Sequence, residues 1–192
     1  MTARTPMTGP TPALIAAEWL SVCPIYLAIE STGPDASDEL TALAILDGDG
    51  TPLLDTLVQP ARPIPPDVAA RPGIDVAALA RAPGYATLHD RLADLIHGRL
   101  CLSFDAAHSG RLIEQSARAA RVYPHLLLIE CVMGLYVRLR DDRGAAQDAD
   151  RPPSLLAAAR ASGLTLPAEP HRATVRAALT RRLVHQIAGV PL

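Results

Sequence analysis

The chain lacks lysine entirely: all 18 of its basic residues are arginine, and its 192 residues carry a formal net charge of −2. The strongly basic surface typical of non-specific nucleic-acid binding is therefore not indicated. Arginines do cluster locally, but solvated helix faces explain these clusters about as well as phosphate contacts do. Abundant alanine, arginine, proline and glycine without lysine is typical of a GC-rich coding sequence, which suggests a bacterial source.

Aromatic residues and cysteines are also scarce. One Phe, one Trp and four Tyr give few platforms for stacking single-stranded bases. The three cysteines, Cys23, Cys101 and Cys131, show no CxxC spacing, and an odd count argues against a disulfide framework. We interpret them as reduced core residues of a cytoplasmic protein. No apolar run approaches the roughly 20 residues of a membrane span, and no export signal is visible, so we expect no membrane association.

The length and the hydrophobic content of 49% are sufficient for one substantial core. Residues 1–12 are rich in Thr and Pro and are predicted to form a flexible tail, which leaves 13–192 as a single domain. A short helix is expected over 13–20, with Trp19 packing against the first strand.

Apolar periodicity and turn residues predict an α/β protein. We expect a central strand over 22–30, a β-hairpin over 40–59, a Pro-rich loop over 60–73 and a polar loop between 140 and 153. Helices are predicted over 85–97, 109–121 and 171–188. Strands at 99–104 and near 125–130 should run parallel to the first strand, because crossover helices connect them.

Several motifs resemble those of the DEDDh (DnaQ-like) 3′–5′ exonuclease family. The segment Ala28-Ile29-Glu30-Ser31-Thr32-Gly33 is similar to the family's opening Asp-x-Glu-(Thr/Ser)-Thr-Gly, except that Ala28 replaces the first metal-binding aspartate. Pro63-Ile64-Pro65, Phe104-Asp105 and His171-Arg172-Ala173 then follow in the family's order. The resemblance extends over roughly residues 25 to 188. It implies a ribonuclease-H-like fold, a five-stranded mixed sheet flanked by helices.

The resemblance also implies which residues would form the active site. Enzymes of this family are understood to hold two Mg²⁺ or Mn²⁺ ions with four acidic residues, while a histidine activates water. Of the four aligned acidic positions only Glu30 is retained; the others are Ala28, His108 and Arg176, and the histidine aligns with His171. One carboxylate cannot anchor two metal ions, and arginine brings a positive charge. We therefore expect no cofactor, with Mg²⁺ or Mn²⁺ required only by an active exonuclease.

Other interpretations of these residues stay open. Glu30 and Arg176 could form a partly buried ion pair across the former metal site. His108 and His171 could be a loop histidine and a helix-terminal residue without a catalytic role. Alternatively, Glu30, His108 and His171 could converge as ligands of Zn²⁺, Mn²⁺ or Fe²⁺.

Two further acids lie near motif positions. Asp35 and Asp105 could replace the missing ligands, but neither lies on a strand that would direct it inward. Solvated loop positions are the preferred interpretation of both.

Two functions compete at this stage. The first is a catalytically degenerate exonuclease, a pseudo-exonuclease that acts as a binding or scaffolding subunit with a protein partner. The second is a divergent active exonuclease on single-stranded DNA or RNA with substitute metal ligands. Ser31, Thr32 and Gly33 occupy positions that in relatives line the pocket of the terminal nucleotide, so binding of a single-stranded nucleic acid is a further expectation. Loss of the family's His/Asn pair at Ser103 and Phe104 speaks against it.

Overall fold

The computed structural model describes residues 9–70, 75–142, 152–168 and 172–192. A five-stranded mixed sheet with the strand order β3-β2-β1-β4-β5 forms its centre. Strands β1, β2 and β3 are antiparallel neighbours, whereas β4 and β5 run parallel to β1. The predicted fold class is confirmed. The strands are β1 (Ile25–Ser31), β2 (Leu40–Leu46), β3 (Pro52–Leu57), β4 (Cys101–Ser103) and β5 (Ile129–Cys131).

Helices cover both faces of the sheet. They are α1 (Pro12–Ser21), α2 (Pro66–Ala69), α3 (Val76–Arg81), α4 (Tyr85–Ile96), α5 (Ala106–Ala119), α6 (Val132–Asp142), α7 (Leu155–Ala161) and α8 (Ala173–Ala188). Helices α4 and α5 contribute to the core on one face, and α1, α6, α7 and α8 to the core on the other. Among the described helices, none is long and apolar enough to cross a membrane.

Strand β1 belongs to both cores because its side chains alternate between the two faces. Leu27 and Ile29 pack with the core of α4 and α5, whereas Tyr26 and Ala28 pack with the core of α8. Glu30 continues the Tyr26 and Ala28 face and pairs with Ala42 of β2 just before the register shifts. The retained carboxylate therefore leaves the sheet on the side of α8.

Some sequence predictions were wrong in detail. The helix predicted from 109 begins at Ala106, because the Asp105 side chain caps it by accepting from the His108 amide at 3.0 Å. The predicted loop over 60–73 contains α2. Cys23, predicted to lie in the core, is exposed. Half-buried Trp19 joins the α8 core, where α1 packs on α8 and α6.

Several predicted features lie outside the described residues. They are His171, the region 71–74, residues 143–151 of the polar loop, and residues 1–8 of the predicted tail. Helix α1 begins at Pro12, one residue before the predicted domain boundary.

Candidate functional site

Ala28, His108 and Arg176, which the motif comparison aligned with acidic positions, line one small cavity of about 50 Å³. The topology explains why they meet. Strands β1 and β4 are parallel neighbours, so their carboxyl ends share one edge of the sheet, where α5 begins. The first turn of α8 closes the cavity with Arg176.

Arg176 is the basic residue of this cavity. Burial lowers the pKa of Arg176 below its ordinary value, and the charge of Glu30 raises it. The Arg176 guanidinium still carries its charge at neutral pH, since arginine does not lose its proton in proteins. The electrostatic influence of Glu30 on Arg176 agrees with the predicted pairing of their charges. A direct ion pair between the two side chains stays a prediction.

His108 lies at the other side of the cavity, in the first turn of α5. Burial lowers the pKa of His108; Asp105 raises it, and Arg111 and Arg176 lower it further. The Arg111 guanidinium donates to His108 Nδ1 at 3.0 Å. Because a guanidinium only donates, Nδ1 must be the acceptor and the neutral ring carries its proton on Nε2. His108 is therefore a neutral side chain that is bonded to Arg111 and lies within the electrostatic influence of Arg176.

Asp105 also lines the cavity, which corrects its interpretation as a solvated loop residue. Its carboxylate is engaged, since it caps α5 through the His108 amide. Asp35 is exposed, as predicted, and its backbone carbonyl accepts from Arg111 at 3.3 Å. Asp105 is therefore part of the site, although the sequence favoured a solvated loop position for it. Its place directly before α5 makes it the helix N-cap, and this role holds it at the cavity.

The turn after β1 holds the candidate nucleotide-pocket residues in an internally bonded loop. Thr32 is buried, and its hydroxyl donates to Asp38 at 2.5 Å and accepts from the Glu39 amide at 3.1 Å. The Ser31 hydroxyl donates to the Gly33 carbonyl at 3.0 Å. A Cβ at Gly33 would lie 2.7 Å from Asp38 Oδ2, so a larger residue would displace that carboxylate.

Glu39 is a buried carboxylate that the sequence reasoning missed. Only 4% of it is exposed, and its two oxygens accept from the amides of Ala61 at 2.8 Å and Arg62 at 3.1 Å. These bonds tie the loop after β3 to the start of β2. The sequence signal for this role was the position of Glu39, an acidic residue directly before the apolar run of β2. At the end of a strand, such a side chain can turn towards a neighbouring loop.

Three buried side chains, Ser103, Phe104 and Ser109, also line the cavity. The hydroxyls of Ser103 and Ser109 lie 2.8 Å apart in a buried hydrogen bond, and Phe104 is 7% exposed. Phe104 therefore serves the core, as predicted. Ser103 and Phe104, which the motif comparison aligned with the family's His/Asn pair, are therefore both buried.

His171, one member of the predicted transition-metal site, lies outside the described residues. Arg111 and Arg176 both lower the pKa of His108, and Arg111 already occupies its Nδ1. The positive charges of these two arginines oppose a metal cation at this imidazole.

The comparisons with known proteins agree with the fold. No protein-family model matches the chain. An uncharacterised exonuclease, CP81 of Escherichia phage 186, is 27% identical over 188 residues, which cover 95% of this chain and 96% of the phage protein. The structure is similar to the nuclease domain of 3′hExo, a DEDDh family member bound to rAMP, with a TM-score of 0.67 and 11% identity over 88% of this chain and 92% of that one.

Other solved structures show the same architecture. A 3′-exonuclease that recognises the histone mRNA stem-loop has a TM-score of 0.64 and 12% identity, over 87% of this chain and 64% of that one. The ExoI/SSB-Ct complex has a TM-score of 0.63 and 12% sequence identity, over 86% of this chain and 41% of that one. The family resemblance predicted from the motifs is confirmed: the chain is an exonuclease-like protein with the ribonuclease-H-like fold of the DEDDh 3′-exonucleases.

Proposed function

We propose that this protein is a pseudo-exonuclease, which keeps the exonuclease fold but acts as a binding or scaffolding subunit in a nucleic-acid-handling assembly. The observation that carries the proposal is the composition of the cavity. Ala28, His108 and Arg176 line it together, at the sheet edge where the family's metal-binding carboxylates belong.

The residues present do not fit a pair of Mg²⁺ or Mn²⁺ ions. Such ions take oxygen ligands, mainly carboxylates and substrate phosphate. Ala28 offers no ligand atom, His108 directs Nδ1 to Arg111, and Asp105 caps a helix. Arg176 adds a fixed positive charge. No catalytic step through metal ions is therefore assigned to this cavity.

The motif residues in the loop after β1 can be explained without nucleotide binding. Thr32 and Gly33 have structural roles of their own, because Thr32 bonds to Asp38 and Glu39, and Gly33 packs against Asp38. The motif could therefore persist for folding after catalysis was lost. A single-stranded nucleic-acid end stays a candidate ligand, with Arg176 available for phosphate in place of metal ions.

A protein partner is the preferred ligand. Tyr123, Leu126 and Leu128 are 93%, 93% and 78% exposed and form an apolar segment before the edge strand β5. Exposed apolar residues grouped in this way are typical of interaction surfaces. One of the solved structures with the same fold is an ExoI/SSB-Ct complex.

A divergent active exonuclease is the second candidate. Two observations favour it: the full-length similarity to the phage exonuclease, and the presence of Asp105 in the cavity wall. Glu30 and Asp105 would then supply two of the oxygen ligands, and His171 the general base.

One experiment separates the two functions. Purified full-length protein is incubated with labelled single-stranded DNA and RNA in Mg²⁺ and in Mn²⁺, and both degradation and mobility shift are followed. Glu30→Ala is the catalytic control, and Arg182→Ala, on the same helix as Arg176 but outside the cavity, controls for charge. Intact substrate supports the pseudo-exonuclease; degradation that Glu30→Ala abolishes establishes the active enzyme. A shift that Arg176→Ala abolishes but Arg182→Ala retains identifies nucleic acid as the ligand, whereas no shift directs the search to a protein partner.

A further inference from the structure

Three residues outside the nuclease-like cavity form the one group of His, Cys, Asp or Glu side chains within the described ranges that could hold a metal ion. His89 and Asp90 lie on α4, and His125 lies in the segment before β5. One ligand atom from each residue lies within 4.8 Å of the other two. Residues distant in the sequence are thus brought together by the packing of that segment against α4.

The two contacts of His89 place its Nδ1 beside a carboxylate. Its Nε2 lies 2.7 Å from the Tyr123 carbonyl oxygen and its Nδ1 lies 2.8 Å from Asp90 Oδ1. A carbonyl oxygen only accepts, so Nε2 must carry a hydrogen. In the neutral ring Nδ1 then presents a lone pair to a carboxylate. Nδ1 and the Asp90 carboxylate are therefore close enough to share one metal ion.

His125 supplies an independent observation. Its ring is stacked on that of His89, with 3.9 Å between centroids and 23° between planes. Its Nε2 is buried and has no hydrogen-bond partner in the described part of the chain. Buried polar atoms normally have a partner, so this nitrogen is available as a ligand.

We propose that His89 Nδ1, the Asp90 carboxylate and His125 Nε2 bind Zn²⁺. Two imidazoles and one carboxylate suit Zn²⁺, which takes a water molecule as fourth ligand, and they do not suit Mg²⁺. The bond from His89 Nε2 to the Tyr123 carbonyl is the kind of outer contact that orients a ligating histidine. Zinc bonds of about 2.0–2.2 Å require the three ligand atoms to draw together. Because an imidazole binds a metal in its ring plane, the stacked His89 and His125 rings must also rotate so that both nitrogens point to the ion. Asp90 can adjust, since its side chain is 93% exposed.

The site would tie the segment 123–128 to α4. That segment carries the exposed Tyr123, Leu126 and Leu128 and leads into β5. The ion would therefore fix the apolar surface beside the sheet edge. Helix α4 packs on the face of the sheet opposite α8, so the zinc site is separate from the cavity of Arg176 and does not depend on the function proposed for it.

Calorimetric titration of the tag-free, metal-stripped full-length protein with ZnCl₂ tests the site, and Co²⁺ absorption reports the coordination geometry. We expect one zinc ion per chain, a four-coordinate Co²⁺ spectrum, and a higher unfolding temperature with zinc. Each of His89→Gln, Asp90→Asn and His125→Gln should lower the affinity at least tenfold, because even outer-shell changes at zinc sites cost about 10–100-fold. His97→Gln, an exposed histidine near His125, is the matched control and should bind like the wild type.

Two results would overturn the proposal. One is a wild-type protein that binds no zinc, or binds it no better than His125→Gln, while circular dichroism shows both folded. The other is an imidazole ¹⁵N NMR spectrum in which His89 carries protons on both nitrogens at excess zinc, which would assign the position beside Nδ1 to a proton.

Discussion

Restoring acidic residues to the cavity should restore divalent-metal binding. The triple variant Ala28→Asp, His108→Asp and Arg176→Asp changes the residues that line the cavity together. Arg176→Asp removes a positive and adds a negative charge, and the other two changes each add a negative charge to a neutral position. We expect this variant to bind Mn²⁺ with a Kd below about 1 mM, equivalent to a binding free energy of about −4 kcal/mol.

The charge of Arg176 has the largest effect on the affinity for Mn²⁺. A divalent ion about 4 Å from the guanidinium is repelled by about 8 kcal/mol at an effective dielectric constant of 20. This repulsion exceeds the roughly 4 kcal/mol released by a millimolar ligand. Ala28→Asp alone, with Arg176 retained, should therefore bind no Mn²⁺, and metal binding should depend on replacing Arg176.

Calorimetry and the loss of the free Mn²⁺ signal in electron paramagnetic resonance both measure this binding. Arg182→Asp, on α8 outside the cavity, is the control for a general gain of negative charge, and it should bind no Mn²⁺. A folded triple variant without affinity for Mn²⁺ would show that the aligned positions do not correspond to the family's metal site. Binding by Ala28→Asp alone would refute the electrostatic reasoning.

Three further predictions concern stability. Glu39→Gln weakens the two bonds to loop amides and should lower the free energy of unfolding in urea by about 1.5–3 kcal/mol, whereas the exposed Asp94→Asn should change it little. Gly33→Ala should cost about 1–3 kcal/mol, and less in an Asp38→Ala background, because the new Cβ meets that carboxylate. Folding lowers the pKa of His108, so the unfolded chain binds more protons and stability rises with pH. This contribution is complete above the unfolded pKa of about 6.5 and is lost as pH falls through the lower folded pKa; a urea series in which His108→Gln kept the same pH slope would contradict it.

Most of the fold was accessible from the sequence because its determinants are local. The turn at Asp47 to Gly50 predicts the hairpin, and the crossover helices predict that β4 and β5 are parallel to β1. The boundary of α5 was missed because the cap at Asp105 was not recognised, although the residue type allowed it. The prediction that Cys23 lies in the core was wrong, because it relied on the apolar neighbours of this residue. Cys23 has a positive φ of 50° and lies exposed before β1.

The candidate site was predictable only as a set of positions. Motif alignment identified Ala28, His108 and Arg176, and the topology brings them to one cavity. Alignment could not predict that Arg111 occupies His108 Nδ1, since that bond depends on side-chain conformations. The contact between His89 and His125 was equally inaccessible, because it depends on how a segment without regular structure packs on α4.

The location of the cavity explains how its lining residues could change between acidic and other types without loss of the fold. The two cores lie on either face of the sheet and consist of apolar side chains, so neither depends on a metal ion at the sheet edge. Clustered carboxylates without metal repel one another, and Ala28 and Arg176 remove this repulsion. The triple aspartate variant should therefore be less stable than the wild type in EDTA and should regain stability in Mn²⁺. Equal stability in EDTA would mean that the cavity is so well solvated that its charges do not interact, and Arg176 would then not repel a metal ion in the wild type either.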